Sequence, residues 1–320
     1  MKYVLIRMIS IILGILTGYV VKTVNIGPTL QILFSASIVI ILYSIILLTI
    51  YHFDDKEFAI HNKKLKEFSD NPFKNIFTWP IFNVSLSGTI SWTIAINVIR
   101  IIPYSLYAVL IPFYVVPALF IEYYMTGAPI TTTKIVFVVI CLLGIIIAAY
   151  KNIHKDFKKF KSVGIGLLLI LVNGIMMAYQ TSYYKYLLNN DFNYVELTSI
   201  EYILSGMMAL VGGLCYLFIY CPMYKIKPSF QYDMKGLFLL FITSIFAVLI
   251  GITKTEALDN LPEYLTILIG NLKIPITFLI SYLFLKEDIS YYKILGAILI
   301  IIGVSYNDLH TLLINNRLLN

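Results

Sequence analysis

A single lysine, Lys273, interrupts one of the most apolar stretches of the chain, residues 260–285. A charge at the centre of a membrane-spanning helix costs roughly 2.5–3.5 kcal/mol on insertion scales, so it normally faces a partner or a wet cavity. Small or hydroxyl-bearing residues share its helical face at steps of three and four: Thr266, Gly270, Thr277 and Ser281. We therefore expect Lys273, with Thr277, to bind an anionic group of a substrate. The alternative is an ion pair that only holds helices together.

A second polar stripe surrounds Glu201, where Tyr194, Thr198 and Ser205 recur at helical spacing. An acidic residue at this depth could bind a proton or balance the charge of Lys273. The alternative is that Glu201 lies near a helix end and reaches interfacial water.

Amides and phenols supply the remaining candidates. Asn173, Gln180 and Tyr184 share one helical face and can donate and accept several hydrogen bonds, although such side chains also hold helices together. Tyr107 and Tyr114, seven residues apart, could stack on a substrate. The predicted substrate-binding residues are Lys273, Asn173, Gln180, Tyr184, Glu201, Thr277, Tyr107 and Tyr114.

Composition sets the class of protein that carries these residues. Of 320 residues, 59% are hydrophobic and 13% charged, whereas a soluble domain carries roughly 25% charged residues. A soluble core of this length could not cover so much apolar surface, which excludes soluble enzymes, nucleic-acid-binding proteins and disordered scaffolds. We expect an integral, multi-pass protein of a prokaryotic plasma membrane or an organellar membrane. Its expected partners are the lipid bilayer and a small-molecule substrate, and a homodimer is compatible with the sequence.

Cysteine and histidine usage predicts no cofactor and no metal site. Cys141 and Cys215 lie in apolar runs, where a thiol behaves as a small hydrophobe, and each of the four histidines lies in or beside a polar segment. An embedded enzyme would be expected to cluster several His, Asp or Glu at one depth. We therefore do not expect an enzyme.

The net charge of +7 is expected in the connections between helices, where Lys and Arg bias sets orientation. With a cytoplasmic N-terminus, Arg7 and Lys254 count toward the inner side, and Lys22, Arg100 and Lys293 toward the outer side. The totals on the two sides are nearly equal, so the charge bias predicts no orientation.

The apolar stretches predict an all-α membrane protein of ten transmembrane helices, since a spanning helix needs about 20 mostly apolar residues. The predicted spans are residues 3–21, 28–51, 77–99, 103–125, 131–150, 163–187, 194–219, 235–254, 260–285 and 291–309. The predicted units are a first five-helix repeat at 1–150, a second at 162–309 and a short tail at 310–320.

An internal repeat relates the two units. Residues 130–135 (ITTTKI) precede Gly144 as residues 289–294 (ISYYKI) precede Gly303, and the Ile-Pro pair before the first motif matches a pair before the second. Because five is an odd number, the second unit must cross the membrane in the opposite sense. Inverted repeats are typical of secondary transporters, whose sites lie near the midplane between the repeats. The alternative is chance similarity between apolar sequences.

Three segments near the end of the chain stand out: residues 268–275 (LIGNLKIP), 282–287 (YLFLKE) and 295–304 (LGAILIIIGV). Together they resemble the EamA-type domain of the drug/metabolite transporter superfamily. The first unit departs from the pattern, since Tyr124 aligns with Glu287 and Phe137 with Gly296. The resemblance implies ten helices, cytoplasmic termini and export or exchange of a small metabolite. Residues 270–273 are also similar to nucleotide-sugar and sugar-phosphate exchangers, in which a lysine of the ninth helix meets a phosphate.

These observations predict a secondary transporter that moves a small polar metabolite, amino-acid-like or another organic anion, by alternating access. The alternative within the same class is an antiporter of nucleotide sugars or phosphorylated metabolites. A non-transporting receptor or an embedded enzyme is the alternative from other classes. A receptor would need no inverted repeat.

Overall fold

The structure is a computed structural model that describes residues 2–52, 79–126, 131–154, 157–189, 193–226, 232–260, 269–270 and 272–303. Within these ranges the secondary structure is helical and contains no strand, so the all-α class is confirmed. The predicted tail at 310–320 and Thr266 lie outside the described residues.

Twelve helices, numbered α1 to α12, follow one another along the described part of the chain. They are α1 Lys2–Thr23, α2 Pro28–His52, α3 Trp79–Ile101, α4 Tyr104–Leu110, α5 Val115–Thr126, α6 Thr132–His154, α7 Phe157–Asn189, α8 Tyr194–Cys215, α9 Cys221–Met223, α10 Met234–Asn260, α11 Lys273–Leu283 and α12 Tyr291–Gly303. A 3₁₀ turn, Ile111–Tyr114, joins α4 to α5, and a π-helical turn, Tyr216–Tyr220, joins α8 to α9.

Six helices in the described part of the chain are long and apolar enough to cross a membrane. These candidate spans are Lys2–Thr23, Pro28–Thr49, Trp79–Ile101, Gly164–Leu188, Tyr194–Met223 and Met234–Ala257. Of the other four predicted spans, residues 131–150 coincide with α6, of which Val138–Ala148 counts as a shorter apolar helix, and the remaining three coincide with shorter helices. Two of them are interrupted beside a proline, because proline lacks an N–H and its ring clashes with the carbonyl four residues earlier. Ten crossings therefore remain a prediction.

Helix packing joins the two halves of the chain. Extensive contacts place α1 against α10, α2 against α8 and α3 against α7, and α4 packs on α11. Each of these pairs takes one helix from residues before 155 and one from residues after 156. Consequently the core is shared between the halves.

Two glycines form a reciprocal contact between α6 and α12. A Cβ on Gly144 would lie 2.7 Å from the side chain of Ile300, and a Cβ on Gly303 would lie 2.9 Å from the Sγ of Cys141. The same 159 residues separate Gly144 from Gly303 and Cys141 from Ile300. The contact therefore maps onto itself when the two halves exchange places.

Candidate functional site

Lys273 is the first residue of α11, although the apolar pattern places it at the centre of a continuous span. Leu272 lies in a turn, and its N–H donates to the carbonyl of Ile269 at 3.1 Å. Pro275 accounts for the new start, because proline is tolerated in the first turn of a helix but not in its interior. Lys273 thus lies where the helical path restarts, and its side chain is only partly exposed.

The first half of the chain contains a comparable break. Pro112 lies in the 3₁₀ turn Ile111–Tyr114, which interrupts the helical path between α4 and α5. Tyr114 ends this turn and is half-buried. The Ile-Pro pairs that the sequence aligns therefore both lie at or beside a break, and proline-interrupted segments at corresponding positions of two halves are typical of transporter binding sites.

Arg7, on α1, lies between the two breaks. It interacts electrostatically with Tyr114 and with Lys273, and its Nη2 atom is 3.5 Å from the position that a Cβ on Gly270 would occupy. Its Nη1 atom donates to the hydroxyl of Ser10 at 3.2 Å. The guanidinium of α1 therefore lies near enough to both proline-interrupted segments to act on them electrostatically.

Lys254, on α10, adds a third cation. It interacts electrostatically with Arg7, with Lys273 and with Glu201. Arg7 and Lys254 were not among the residues predicted for the site, because a charge within two turns of a helix end usually extends to the membrane surface. Their position in sequence was a weak signal, since each lies inside the apolar part of its helix rather than beyond it.

Glu201 is a buried carboxylate held by three side chains. Gln180 Nε2 donates to its Oε1 at 3.2 Å, Tyr184 OH donates to its Oε2 at 3.2 Å, and Ser205 Oγ lies 2.9 Å from Oε1. Gly88 of α3 leaves room for this group, because a Cβ there would lie 2.6 Å from Glu201 Oε1. The structure thus brings together three of the predicted site residues.

The charge that Glu201 balances belongs to Lys254. The sequence suggested Lys273 as the partner of Glu201, but the electrostatic neighbours of Lys273 are Arg7 and Lys254. The difference arises because α10, which carries Lys254, packs against α8, which carries Glu201. Lys273 consequently has two cationic neighbours, a setting that attracts an anion.

The other candidates are buried in helix contacts. Asn173 Oδ1 accepts from Ser91 Oγ at 2.7 Å, and its Nδ2 lies 3.6 Å from the sulfur of Met177, so its amide joins α7 to α3. Thr277 is fully buried on α11. Tyr107 is buried on α4, and its ring stacks on that of Tyr104 with centroids 6.4 Å apart.

The chain was compared with known proteins at the levels of sequence and fold. Residues 164–307 match the model of the EamA-like transporter family. The search of curated proteins gave no significant match. One solved structure, described only as "Crystal structure of protein", aligns over 96% of this chain and 96% of its own, with a TM-score of 0.60 and 11% identity. That likeness concerns the fold alone.

The segment that matches the family model contains three residues of the candidate site. The matched segment contains α8, α10 and α11, and therefore Glu201, Lys254 and Lys273. The family implies a membrane transporter of small molecules, and the apolar helices agree with an integral, multi-pass protein. The resemblance that residues 268–304 carry is confirmed by this match: residues 164–307 of the chain match the model of the EamA-like transporter family.

Proposed function

We propose that this protein is a secondary transporter that moves a small organic anion by alternating access. The observation that supports this function is a group of three cations, Arg7, Lys254 and Lys273. They come from three helices and interact with one another. We call these three residues the cation group.

The charges of the cation group favour an anionic substrate. Three positive charges and the one negative charge of Glu201 leave a net charge of +2 among these four residues. Unbalanced charge is costly in an apolar environment unless a counter-charge is bound. A substrate with one or two negative groups supplies that counter-charge, and Tyr114 and Thr277 lie on the same two interrupted segments to contact its neutral part.

Alternating access is supported by the relation between the two halves. The reciprocal contact of Gly144 with Ile300 and of Gly303 with Cys141 is what an internal two-fold axis requires. The breaks beside Pro112 and Pro275 lie at comparable, though not identical, positions of the two halves, since 163 residues separate the two prolines. We therefore propose two inverted five-helix repeats, with the substrate bound near the axis and opened to each side in turn.

Removal of the Lys273 charge tests this function. In proteoliposomes, Lys273→Ala is expected to lower uptake of the physiological anion by more than about tenfold, the effect of losing ~1.4 kcal/mol of interaction. Lys273→Arg keeps the charge and should retain part of the activity. Lys235→Ala is the matched control, because Lys235 is exposed at the start of α10. Normal uptake by Lys273→Ala would contradict the assignment.

A ligand screen distinguishes the substrate classes. Ligands that bind only the native state raise the apparent melting temperature, so thermal-shift measurements against amino acids, dicarboxylates, sugar phosphates and nucleotide sugars identify the class. Stabilisation by phosphorylated compounds alone would favour the antiporter alternative, to which a cation group of this size is also suited. Stabilisation by cationic compounds would contradict an anion site.

A further inference from the structure

A polar cluster lies at the opposite end of α11 from Lys273. Glu287 follows α11, and its Oε1 accepts from the N–H of Tyr104 at 2.7 Å while its Oε2 accepts from the N–H and Oγ of Ser105 at 2.9 and 2.7 Å. Lys293 Nζ, which is buried, donates to the same Ser105 Oγ at 2.9 Å. We call Tyr104, Ser105, Glu287 and Lys293 the Glu287 cluster.

The Glu287 cluster fixes the tip of a helical hairpin. Helices α3 and α4 are joined at Ile102 and Pro103, and Tyr104 and Ser105 form the first turn after this tip. Helix-starting N–H groups have no partner within their own helix, and the Glu287 carboxylate supplies one. From the other side, Lys22 Nζ of α1 donates to the carbonyl of Ile102 at 2.7 Å.

The side chain of Tyr104 also packs closely against α1. The Tyr104 hydroxyl donates to the carbonyl of Ile15 at 2.8 Å. Gly18 allows this approach, because a Cβ at that position would collide with the Tyr104 ring and hydroxyl. The hairpin tip is therefore held by α1, by the turn after α11 and by α12.

We propose that the Glu287 cluster is the latch that closes one entrance to the anion site. The inference rests on the proposed alternating access, in which one entrance must be closed while the other is open. The latch joins a hairpin of the first half to residues 287 and 293 of the second half, across the shared core. The hydrogen bonds of the latch join Glu287 and Lys293 to backbone N–H groups and one hydroxyl of the hairpin. They can therefore break when the hairpin moves away, while the backbone hydrogen bonds within α11 stay intact.

Glu287→Gln weakens the latch while preserving its shape. The carboxylate accepts through both oxygens, whereas an amide has one acceptor and presents an N–H₂ group where the second acceptor is needed. The charge opposite Lys293 is also lost. Opening of this entrance should therefore become more frequent.

The test measures access to Ser281, on the Lys273 face of α11 between Lys273 and Glu287. Its side chain is buried, and its hydroxyl has no hydrogen-bond partner among the described residues, so Ser281→Cys is a mild reporter. The native cysteines are replaced by alanine, and the protein in lipid nanodiscs reacts with a membrane-impermeant maleimide. We expect slow labelling in the parent and labelling at least about tenfold faster with Glu287→Gln, a factor that corresponds to ~1.4 kcal/mol. Gly18→Ala, which disturbs the packing of Tyr104 against α1, should act in the same direction.

Two controls separate a latch from general loosening. Asp233→Asn removes another carboxylate that accepts from N–H groups at the start of a helix, those of Lys235 and Gly236. This carboxylate lies at the same end of the bundle as the Glu287 cluster, because Gly236 approaches Val24 and Ile26 just after α1. Asp233→Asn should leave the labelling rate unchanged. A second protein that keeps only the buried Cys141 should stay protected in Glu287→Gln.

The outcomes are decisive in both directions. Unchanged labelling of the Ser281 reporter in both Glu287→Gln and Gly18→Ala, or equal acceleration by Asp233→Asn, would overturn the latch. Labelling of Cys141 in Glu287→Gln would assign Glu287 to stability alone. Because labelling needs no substrate, these results do not depend on anion uptake, so a failure of the latch and a failure of the proposed function are distinguished by different measurements.

Discussion

Some polar residues of the candidate site can be recognised from the sequence alone, and others cannot. Lys273 could be selected as a candidate because it is the one lysine in an apolar stretch, residues 260–285. Gln180, Tyr184 and Glu201 could be predicted from helical spacing, and the structure brings them within hydrogen-bonding distance. Arg7 could not, because its role depends on how α1 packs in three dimensions. Helical periodicity reports which residues share a face, and only packing reports which faces meet.

Glu201 provides a prediction at this scale. Glu201→Gln removes a negative charge that interacts with Lys254, so the net charge of the site rises. The anion should then bind about tenfold more tightly, as expected for charges several ångströms apart at an effective dielectric constant of about 20. Release should slow and turnover should fall. Isothermal titration and proteoliposome uptake measure the two effects.

Ser205→Ala is the control for this change, because it removes a hydroxyl near Glu201 and keeps the carboxylate. Its affinity for the anion should stay close to that of the parent. Weaker anion binding by Glu201→Gln would show that the carboxylate contacts the substrate through a proton or a cation instead.

Helices in this protein were predicted well as elements and less well as continuous spans. The apolar pattern located the helical stretches, but it did not show that the paths through Pro112 and before Lys273 are interrupted. Hydropathy averages over a window of residues and is insensitive to a local loss of backbone hydrogen bonds. The breaks are instead encoded by single prolines, whose effect depends on whether a helix can restart beside them.

The contact between α6 and α12 yields a prediction at the scale of elements. Gly144→Val should lower the melting temperature, because a Cβ at this position already approaches the Gly296 carbonyl at 2.8 Å and overpacking costs about 1–3 kcal/mol. Gly303→Val should have a similar effect if the contact is reciprocal. Gly212→Ala is the control, since nothing lies within 4 Å of its added Cβ, and melting curves in detergent would show whether it stays as stable as the parent.

At the scale of the whole molecule, the two halves complete each other. In the described part of the chain, the packing of α1 on α10, α2 on α8 and α3 on α7 joins the two halves more extensively than any contact between helices of the same half. The cation group has the same property, because Arg7 belongs to the first half and Lys254 and Lys273 to the second. The sequence predicted two units from a short repeat and candidate residues from both of them, but it did not indicate that Arg7 of the first half lies near Lys254 and Lys273 of the second.

Separation of the halves tests this dependence. Residues 1–154 and 157–320, each expressed alone, should be degraded or aggregate and should not transport, whereas co-expression should restore a complex that co-purifies and transports. Stable, monodisperse behaviour of either half alone would contradict the shared core.

The reciprocal contact of Gly144 and Gly303 bears on how the two halves of the chain arose. On the proposed two-repeat architecture, an isologous contact is the one that two copies of a single five-helix chain would make when inserted upside down relative to each other. Such a chain must enter the bilayer in both orientations, which a strong Lys/Arg bias would prevent. On that architecture, the nearly equal Lys and Arg totals expected on the two sides are what a gene duplication that fused such an antiparallel dimer into one polypeptide would leave.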